Sequence, residues 1–180
     1  MSKRIAVFLS SHNDLPTSFK NATEAVGKWI GEHNHTLVYG GARKGLMEVL
    51  AIATKNSGGK VYGVVPQILV EKKQVSDYLD ITFHCVDLND RKAIMARESE
   101  ICIALPGGIG TLDEIFTILA ANTIGFQRKP VILYNVDGCW DATITTLDKM
   151  HEMNLVNDDA LSMLHVVSTI DELEKVCNTL

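Results

Sequence analysis

The feature that most restricts how this chain can fold is the regular return of short apolar runs rich in β-branched residues. Most of these runs are continuous and do not alternate with polar positions, which is typical of strands covered on both faces. The seven runs are residues 5–9, 36–39, 60–65, 81–86, 101–105, 130–134 and 164–167. Stretches with helical spacing lie between them, at residues 19–32, 45–56, 91–98, 112–124 and 142–153. This alternation predicts an α/β fold, a doubly wound parallel sheet with helices on both faces.

The length of the chain fits one domain of ordinary size. A chain of 180 residues that folds as a unit buries about two thirds of its unfolded surface. No long linker, low-complexity tract or internal repeat interrupts the sequence. We therefore expect residues 1–180 to form a single domain, with right-handed crossovers between its parallel strands.

Composition and charge exclude several classes of protein. Hydrophobic residues make up 46% of the chain and charged residues 22%, whereas a disordered chain carries fewer apolar residues and more net charge. The net charge is −5 and the pI about 5.6, whereas general binders of nucleic acid or of anionic membranes are usually basic. We expect neither nucleic acid nor an anionic membrane as a partner, although the net charge does not exclude a local basic pocket.

The sequence also gives expectations about location and metal binding. No run reaches the roughly 18 apolar residues that span a bilayer, and the apolar stretch after the first four residues is too short for a signal peptide. The four cysteines stand far apart, without a CxxC pair or a nearby histidine pattern. We therefore expect no disulfide framework and no structural zinc site. These patterns predict a cytoplasmic protein that holds no metal.

The loops that follow the strands are the candidate binding segments, because ligands of such sheets bind beyond the carboxyl ends of the strands. Two of these loops, residues 40–45 and 106–111, are rich in glycine, and the loop after the first strand reads Ser10-Ser11-His12-Asn13. A dinucleotide-binding fold would place GxGxxG in that first loop. The loop at 40–45 lacks the Gly-Lys-Ser/Thr ending of a P-loop. Neither of these two familiar sites is therefore predicted.

The strongest local signal is the segment that follows the fifth apolar run. It reads Pro106-Gly-Gly-Ile-Gly-Thr-Leu-Asp-Glu114. Glycines let a phosphate approach backbone N–H groups, and the helix that follows presents its positive end. A tight strand-to-helix turn also uses glycine, but three glycines in four residues exceed what one turn needs. The segment therefore predicts an anion-binding loop.

Two acidic residues of this segment also have structural explanations. Thr111 and Glu114 are spaced as a capping box, in which the glutamate bonds back to the N–H of the cap residue. Asp113 fits compensation of the helix dipole in a first turn. The local sequence supports a cap and a functional carboxylate equally well as interpretations of Glu114.

An arginine at the start of the next predicted helix upstream is a second candidate. Arg91 follows Asn89 and Asp90, which are good helix caps. At 3.6 residues per turn Arg91 shares a partly apolar face with Glu98, whereas Lys92 points elsewhere. Glu98 lies too far along the helix for a simple i,i+4 pair, so the pattern favours an anionic ligand for Arg91.

Three segments carry a combined signal. They are Tyr39-Gly-Gly-Ala-Arg-Lys-Gly-Leu-Met47, Asp90-Arg-Lys-Ala-Ile-Met-Ala-Arg97 and Leu105-Pro-Gly-Gly-Ile-Gly-Thr-Leu-Asp-Glu114. Together they resemble the LONELY GUY (LOG) family of cytokinin riboside 5′-monophosphate phosphoribohydrolases, over nearly the whole chain. The resemblance implies a Rossmann-like fold and a homo-oligomer, commonly a dimer. It also implies hydrolysis of the N-glycosidic bond of AMP or N6-modified AMP, without a cofactor, to free base and ribose 5-phosphate.

Carried over residue by residue, the resemblance implies that Arg91 and Glu114 form the catalytic pair. A carboxylate stabilises the oxocarbenium character that develops on the ribose while it activates water, and a helix N-terminus would favour the ionised form of Glu114. The implied substrate-binding residues are Lys92, Gly107, Gly108, Ile109, Gly110, Thr111, Gly41 and Glu71, the last as the nearest match to a family glutamate after the third strand.

The chain departs from the family pattern at three positions. Ala42 and Glu48 stand where glycines are usual, and Ala120 stands where many plant members have a substrate-contacting threonine. These differences bear on the preference for a modified adenine and leave the implied chemistry intact.

The leading alternative is a protein that binds without turnover. A nucleotide or molybdenum-cofactor carrier would use the same crevice, and turnover of AMP separates the two functions. Lysine decarboxylation is disfavoured, because no lysine stands in a recognisable pyridoxal-phosphate context.

The predicted helix at 112–124 is apolar in nearly every direction around its axis. A helix of this kind must be covered on more than the side that faces the sheet. We therefore expect a homodimer that buries this helix near the active site.

Overall fold

The computed structural model of the protein describes residues 2–180, which form one seven-stranded sheet in the order β4-β3-β2-β1-β5-β6-β7. All neighbouring strands run parallel. The strands are β1 (Arg4–Phe8), β2 (Thr36–Tyr39), β3 (Lys60–Pro66), β4 (Ile81–Cys85), β5 (Ile101–Ala104), β6 (Val131–Tyr134) and β7 (Leu164–Val167). The predicted α/β parallel sheet is confirmed, and each of the seven apolar runs supplies one strand.

Eight α-helices connect and flank these strands within residues 2–180. They are α1 (Thr17–Glu32), α2 (Gly45–Asn56), α3 (Gln67–Glu71), α4 (Leu88–Arg97), α5 (Ile109–Thr123), α6 (Asp141–Glu152), α7 (Asp158–Leu161) and α8 (Ile170–Thr179). The five predicted helices correspond to α1, α2, α4, α5 and α6. The sequence analysis did not predict α3 and α7, which are about one turn long, or the amphipathic α8.

The start of α4 differs from the sequence prediction for a local reason. Asp87 is the N-cap, and one of its carboxylate oxygens accepts hydrogen bonds from the N–H groups of Asn89 and Asp90, each at 2.8 Å. The helix therefore begins at Leu88, before Arg91. The prediction that Asn89 and Asp90 cap the helix is wrong, because both already lie in its first turn.

Two layers of buried side chains cover the two faces of the sheet. In β1, Ile5 and Val7 belong to one layer and Ala6 and Phe8 to the other, and none of the four is more than 2% exposed. Helices α1, α2 and α8 complete the first layer, and α4, α5 and α6 complete the second. A strand buried on both faces needs apolar residues at every position, which explains the continuous apolar runs.

The centre of the sheet is where the order of the strands reverses. From β1 the chain passes through α1 to β2 on one side, whereas from β5 it passes through α5 to β6 on the other. Ligands bind at such a switch point, in the crevice between the two diverging loops. The N–H of Ser10 donates to the carbonyl oxygen of Pro106 at 3.1 Å, which ties the two loops together at this crevice.

The structure also shows the state of the cysteines and whether any helix could span a membrane. Cys85, Cys102 and Cys177 are buried free thiols, and Cys139 is half-buried and free. In the described chain, residues 2–180, no helix combines the length and apolarity needed to cross a membrane.

Candidate active site

A cavity of about 570 Å³ opens at the carboxyl edge of the sheet. Its wall combines the loop after β1, the first turn of α2, one residue of α4 and the start of α5. The lining residues are Leu9, Ser10, Ser11, His12, Met47, Arg91, Gly108, Ile109, Gly110, Thr111 and Glu114. The fold thus brings six of the ten predicted site residues to one cavity.

Arg91 reaches the cavity from α4 with its guanidinium held by the backbone. Its Nε donates to the carbonyl oxygen of Val64 at 3.2 Å, and its Nη2 donates to that of Gly40 at 2.9 Å. The remaining nitrogen, Nη1, lies 3.8 Å from Oε1 of Glu114. At that distance the two side chains form an ion pair but no direct hydrogen bond. Arg91 is therefore fixed in orientation before any ligand enters.

Gly40 leaves the space that this arrangement needs. A Cβ at Gly40 would stand 1.9 Å from Nη2 of Arg91, far inside van der Waals contact. Only a glycine lets its own carbonyl accept the hydrogen bond while the guanidinium packs against its Cα. Gly40 is therefore a positioning residue for Arg91.

Glu114 is a buried carboxyl on α5, 8% exposed. Burial raises its pKa to about 7, and Asp113 adds to that rise, while the positive charges of Arg91 and Lys92 oppose it. Desolvation therefore outweighs the ion pair. A carboxyl with this pKa exchanges its proton near neutral pH, as a general base requires.

The capping-box interpretation of Glu114 is wrong. The N-cap of α5 is Gly108, without a side-chain capping bond, and the helix begins at Ile109. Thr111 and Glu114 therefore lie inside the helix, and the Glu114 carboxyl turns to the cavity. The helical spacing of apolar residues begins only at Leu112. The sequence prediction therefore started the helix there and left out its first turn.

The glycine-rich loop presents bare backbone to the cavity. Cβ atoms at Gly108 or Gly110 would meet no heavy atom within 4 Å, so both positions are open to a ligand. Gly107 faces the other way, where a Cβ would stand 2.1 Å from Oγ1 of Thr111, and it lines a smaller recess beside the cavity. Ile109 is 86% exposed. The open N–H groups at the start of α5 can receive an anion.

Besides Gly107, three predicted binding residues do not line the cavity. Lys92 forms an ion pair with Asp113, Nζ to Oδ1 at 2.7 Å, and faces a separate cavity between α4 and α5. This pair, and not dipole compensation in a first turn, accounts for Asp113. Gly41 has a φ of +71°, and a Cβ there would stand 2.6 Å from Val65 Cγ2, so its role is local packing. Glu71 is exposed at the end of α3.

Other lining residues were not among the predicted site residues. Ser10, Ser11 and His12 had been noted only as part of a loop that follows a strand, and the adjacency of β1 and β5 brings that loop to the cavity. Met47, in the first turn of α2, ends the first of the three family segments but was not among the predicted site residues. No cluster of three or more His, Cys, Asp or Glu side chains suited to a metal ion occurs among residues 2–180.

The comparisons with known proteins agree with the motifs. A family model described as possible lysine decarboxylase matches residues 47–177. Cytokinin riboside 5′-monophosphate phosphoribohydrolase LOG4 of Arabidopsis thaliana is 34% identical over 172 residues, which cover 96% of this chain and 80% of the relative. The chain belongs to the LOG family. A rice relative, probable cytokinin riboside 5′-monophosphate phosphoribohydrolase LOGL6, is 36% identical over 171 residues, covering 95% of this chain and 68% of its own length.

Solved structures share the fold of this LOG-family chain at lower identity. An X-ray structure from a structural genomics consortium has a TM-score of 0.76 at 21% identity, covering 99% of both chains. The molybdenum cofactor carrier protein of Chlamydomonas reinhardtii has a TM-score of 0.75 at 24% identity, covering 99% of this chain and 98% of the carrier. The LOG-family fold is therefore common to these proteins.

Proposed function

We propose that this LOG-family protein hydrolyses the N-glycosidic bond of AMP or of an N6-modified AMP. The names of its relatives give cytokinin riboside 5′-monophosphate, which is an N6-modified AMP, as the substrate. The products are the free base and ribose 5-phosphate, and the reaction needs no cofactor. One observation carries the proposal. The buried carboxyl of Glu114 lies 3.8 Å from a tethered Arg91, in a cavity bordered by a glycine-rich helix N-terminus.

The proposed mechanism uses Glu114 as a base. Cleavage of the bond between C1′ and the base nitrogen develops positive charge on the ribose ring, which a carboxylate stabilises. Glu114 takes a proton from water as the water oxygen forms its bond to C1′. The electron pair of the broken bond stays with the base, which takes up a proton from solvent as it leaves. Glu114 then releases the proton it took from water, which restores the carboxylate. Arg91 holds the carboxylate in place and favours its charged form.

The 5′-phosphate is the proposed anchor of the substrate. The N–H groups of Gly108, Gly110 and Thr111 lie at the positive end of α5, where a helix favours an anion. Gly108 and Gly110 leave room for a phosphate to reach the backbone. The binding energy of the phosphate then serves to hold the ribose against Glu114.

AMP is expected to be cleaved with a kcat/KM at least about 10²-fold above that of adenosine, because the phosphate adds several charge-assisted hydrogen bonds. Release of free base, followed by liquid chromatography, measures both rates. An N6-modified AMP and its nucleoside form a second matched pair. Equal values of kcat/KM within each pair would exclude the phosphate anchor.

The same assay tests the carrier alternative. The likeness to a molybdenum cofactor carrier, with a TM-score of 0.75, is the observation that favours it. A carrier would bind a nucleotide tightly and release no base during prolonged incubation. Release of base by the wild-type protein, and its loss on substitution of Glu114, would exclude the carrier function.

We also propose a homodimer that buries the outer face of α5. The helix turns Ile115 and Ile118 to its own core, yet Phe116 is 40% and Ile124 is 79% exposed, and Phe126 just beyond the helix is 83% exposed. Exposed apolar side chains gathered on one element are typical of an interface.

The mass in solution is expected to be twice the 19.8 kDa of the chain. Light scattering at micromolar concentration measures it. Phe126→Glu should shift the protein to the monomer, because a charge is costly to bury in an apolar interface. Val166→Glu is the control, since Val166 is 46% exposed on the edge strand β7. A monomeric wild-type protein would contradict the proposal.

We further propose a cytoplasmic location. It is supported by the free thiols of Cys85, Cys102, Cys139 and Cys177, which persist in a reducing compartment. The net charge of −5 supports a small-molecule substrate over nucleic acid or anionic membranes as partners.

A further inference from the structure

The cavity offers little free positive charge for a phosphate. Two nitrogens of the Arg91 guanidinium donate to the carbonyl oxygens of Val64 and Gly40, and the third faces Glu114. Lys92, the other cation expected to bind the phosphate, is paired with Asp113 and faces a separate cavity. The two predicted cations are therefore already committed to other partners.

His12 lies at the glycine-rich end of the cavity. It lines both the main cavity and the smaller apolar recess of about 190 Å³ beside it. Ser10 and Gly108 also line both spaces, whereas Arg91 and Glu114 line only the main cavity. His12 is therefore grouped with Gly108, the N-cap of α5, and not with the catalytic pair.

Several contacts fix the loop that carries His12. The N–H of His12 donates to Oγ of Ser10 at 3.1 Å, and the N–H of Ser10 donates to the carbonyl oxygen of Pro106 at 3.1 Å. The N–H of Gly45 donates to Oδ1 of Asn13 at 3.0 Å. Gly45 has a φ of +55°, and a Cβ there would stand 2.3 Å from the carbonyl oxygen of His12. The loop is therefore packed tightly between the two glycine-rich loops.

We propose that the imidazole of His12 binds the 5′-phosphate together with the N–H groups at the start of α5. The inference rests on the proposed function only in that a phosphate ester occupies the cavity. An imidazole N–H that meets a phosphate donates a hydrogen bond to a charged acceptor, and such bonds are stronger than those between neutral groups.

The charged groups around His12 leave the imidazole open to a bound anion. Arg91 and Glu114 face the cavity from α4 and α5 and pair with each other. Asp14 in the same loop and Lys44 before α2 are exposed and do not line the cavity. Within residues 2–180, His12 forms no ion pair.

Binding of inorganic sulfate tests the proposal without turnover, because sulfate stays a dianion across the range in which phosphate esters titrate. Its dissociation constant is measured at pH 6 from the rise in Tm with sulfate concentration, at constant ionic strength. His12→Gln should bind sulfate about tenfold more weakly than the wild type, through the loss of one hydrogen bond to a charged acceptor.

Two further variants control this experiment. His12→Arg supplies a guanidinium at the same position, so it should bind sulfate at least as tightly as the wild type. His84→Gln changes an exposed histidine on the edge strand β4 and should behave as the wild type. Equal sulfate affinities of the wild type and His12→Gln would overturn the proposal. So would an equally large loss of affinity in His84→Gln.

Kinetics with AMP separate this proposal from the proposed function. At pH 6, His12→Gln should raise KM about tenfold and leave kcat within about twofold, since a contact made equally in the ground state and the transition state affects only binding. Cleavage of AMP with an unchanged KM would exclude the role of His12 and leave the proposed function standing. If the protein does not cleave AMP but its sulfate binding depends on His12, the proposed function is excluded and the role of His12 stands.

Discussion

Replacement of Glu114 by glutamine is expected to lower kcat for AMP by about 10²-fold or more in a protein that still folds and binds ribose 5-phosphate. The amide has the size of the carboxyl and can still accept a contact from Arg91, but it can neither take a proton from water nor carry the negative charge that an oxocarbenium-like transition state needs. Release of free base under single-turnover conditions measures the effect. Near-normal turnover in a stably folded variant would remove Glu114 from the mechanism.

Asp113→Asn is the matched control for this variant. Asp113 is the preceding residue, and its side chain is half exposed and paired with Lys92 outside the cavity. Removal of its charge should leave kcat within about threefold of the wild type, as expected for a surface ion pair. A loss as large as that of Glu114→Gln would mean that the local charge, and not the base, controls turnover.

The pH dependence of the reaction follows from the same carboxyl. Burial raises the pKa of Glu114 to about 7, and only its ionised form can act as a base. In the wild type, kcat/KM should therefore rise with pH through about 7. The phosphate of AMP also titrates near pH 6, so the comparison with Glu114→Gln is needed. The part of the rise that belongs to Glu114 should be absent from that variant.

Gly40→Ala is expected to lower kcat/KM by about 10²-fold, because a displacement of about 1 Å in a catalytic group is enough for such a loss. The added methyl group would stand 1.9 Å from Nη2 of Arg91, and the flexible end of the arginine must move away. The backbone of Gly40 has no positive φ, so alanine adds no backbone strain there, and any fall in Tm comes from the displaced arginine. Steady-state kinetics and thermal unfolding on the same preparation measure both quantities.

A double-mutant cycle shows whether Gly40 acts through Arg91. Arg91→Ala removes the side chain that the new methyl group would displace. In that background Gly40→Ala should have almost no further effect on kcat/KM, because the two residues act as one unit. Additive losses would mean that Gly40 contributes in another way, and the positioning role would have to be abandoned.

The predictions from sequence succeeded where a pattern had one physical cause. A strand that is buried on both faces must be apolar at successive positions, so each continuous run supplied a strand of the sheet. The starts of α4 and α5 were misplaced because several residues could cap them. Asp87, Asn89 and Asp90 are all good caps, and only the hydrogen bonds of the folded chain select Asp87.

The residues of the candidate site were also predicted only in part from the sequence. Arg91 and Glu114 were each singled out by local pattern and by the family resemblance, and the fold places them 3.8 Å apart. Lys92 was grouped with its neighbour Arg91, but one helical position is a rotation of about 100°, which directs Lys92 to Asp113. His12 lies in a loop that the sequence marks as a candidate binding segment, but no local pattern singles it out there. Its place at the cavity depends on the contact between two loops almost a hundred residues apart in the chain.

The burial of Glu114 also couples the folding of the protein to its protonation. The carboxyl holds its proton more tightly in the folded chain, with a pKa of about 7, than at its ordinary value of 4.5. Between these pH values the folded state binds more protons than the unfolded state. The stabilisation from this carboxyl is therefore fully present below pH 4.5 and is lost as the pH rises through about 7. Acid conditions favour the fold at this residue and leave the enzyme without its base, whereas neutral pH restores the base and weakens the fold around it.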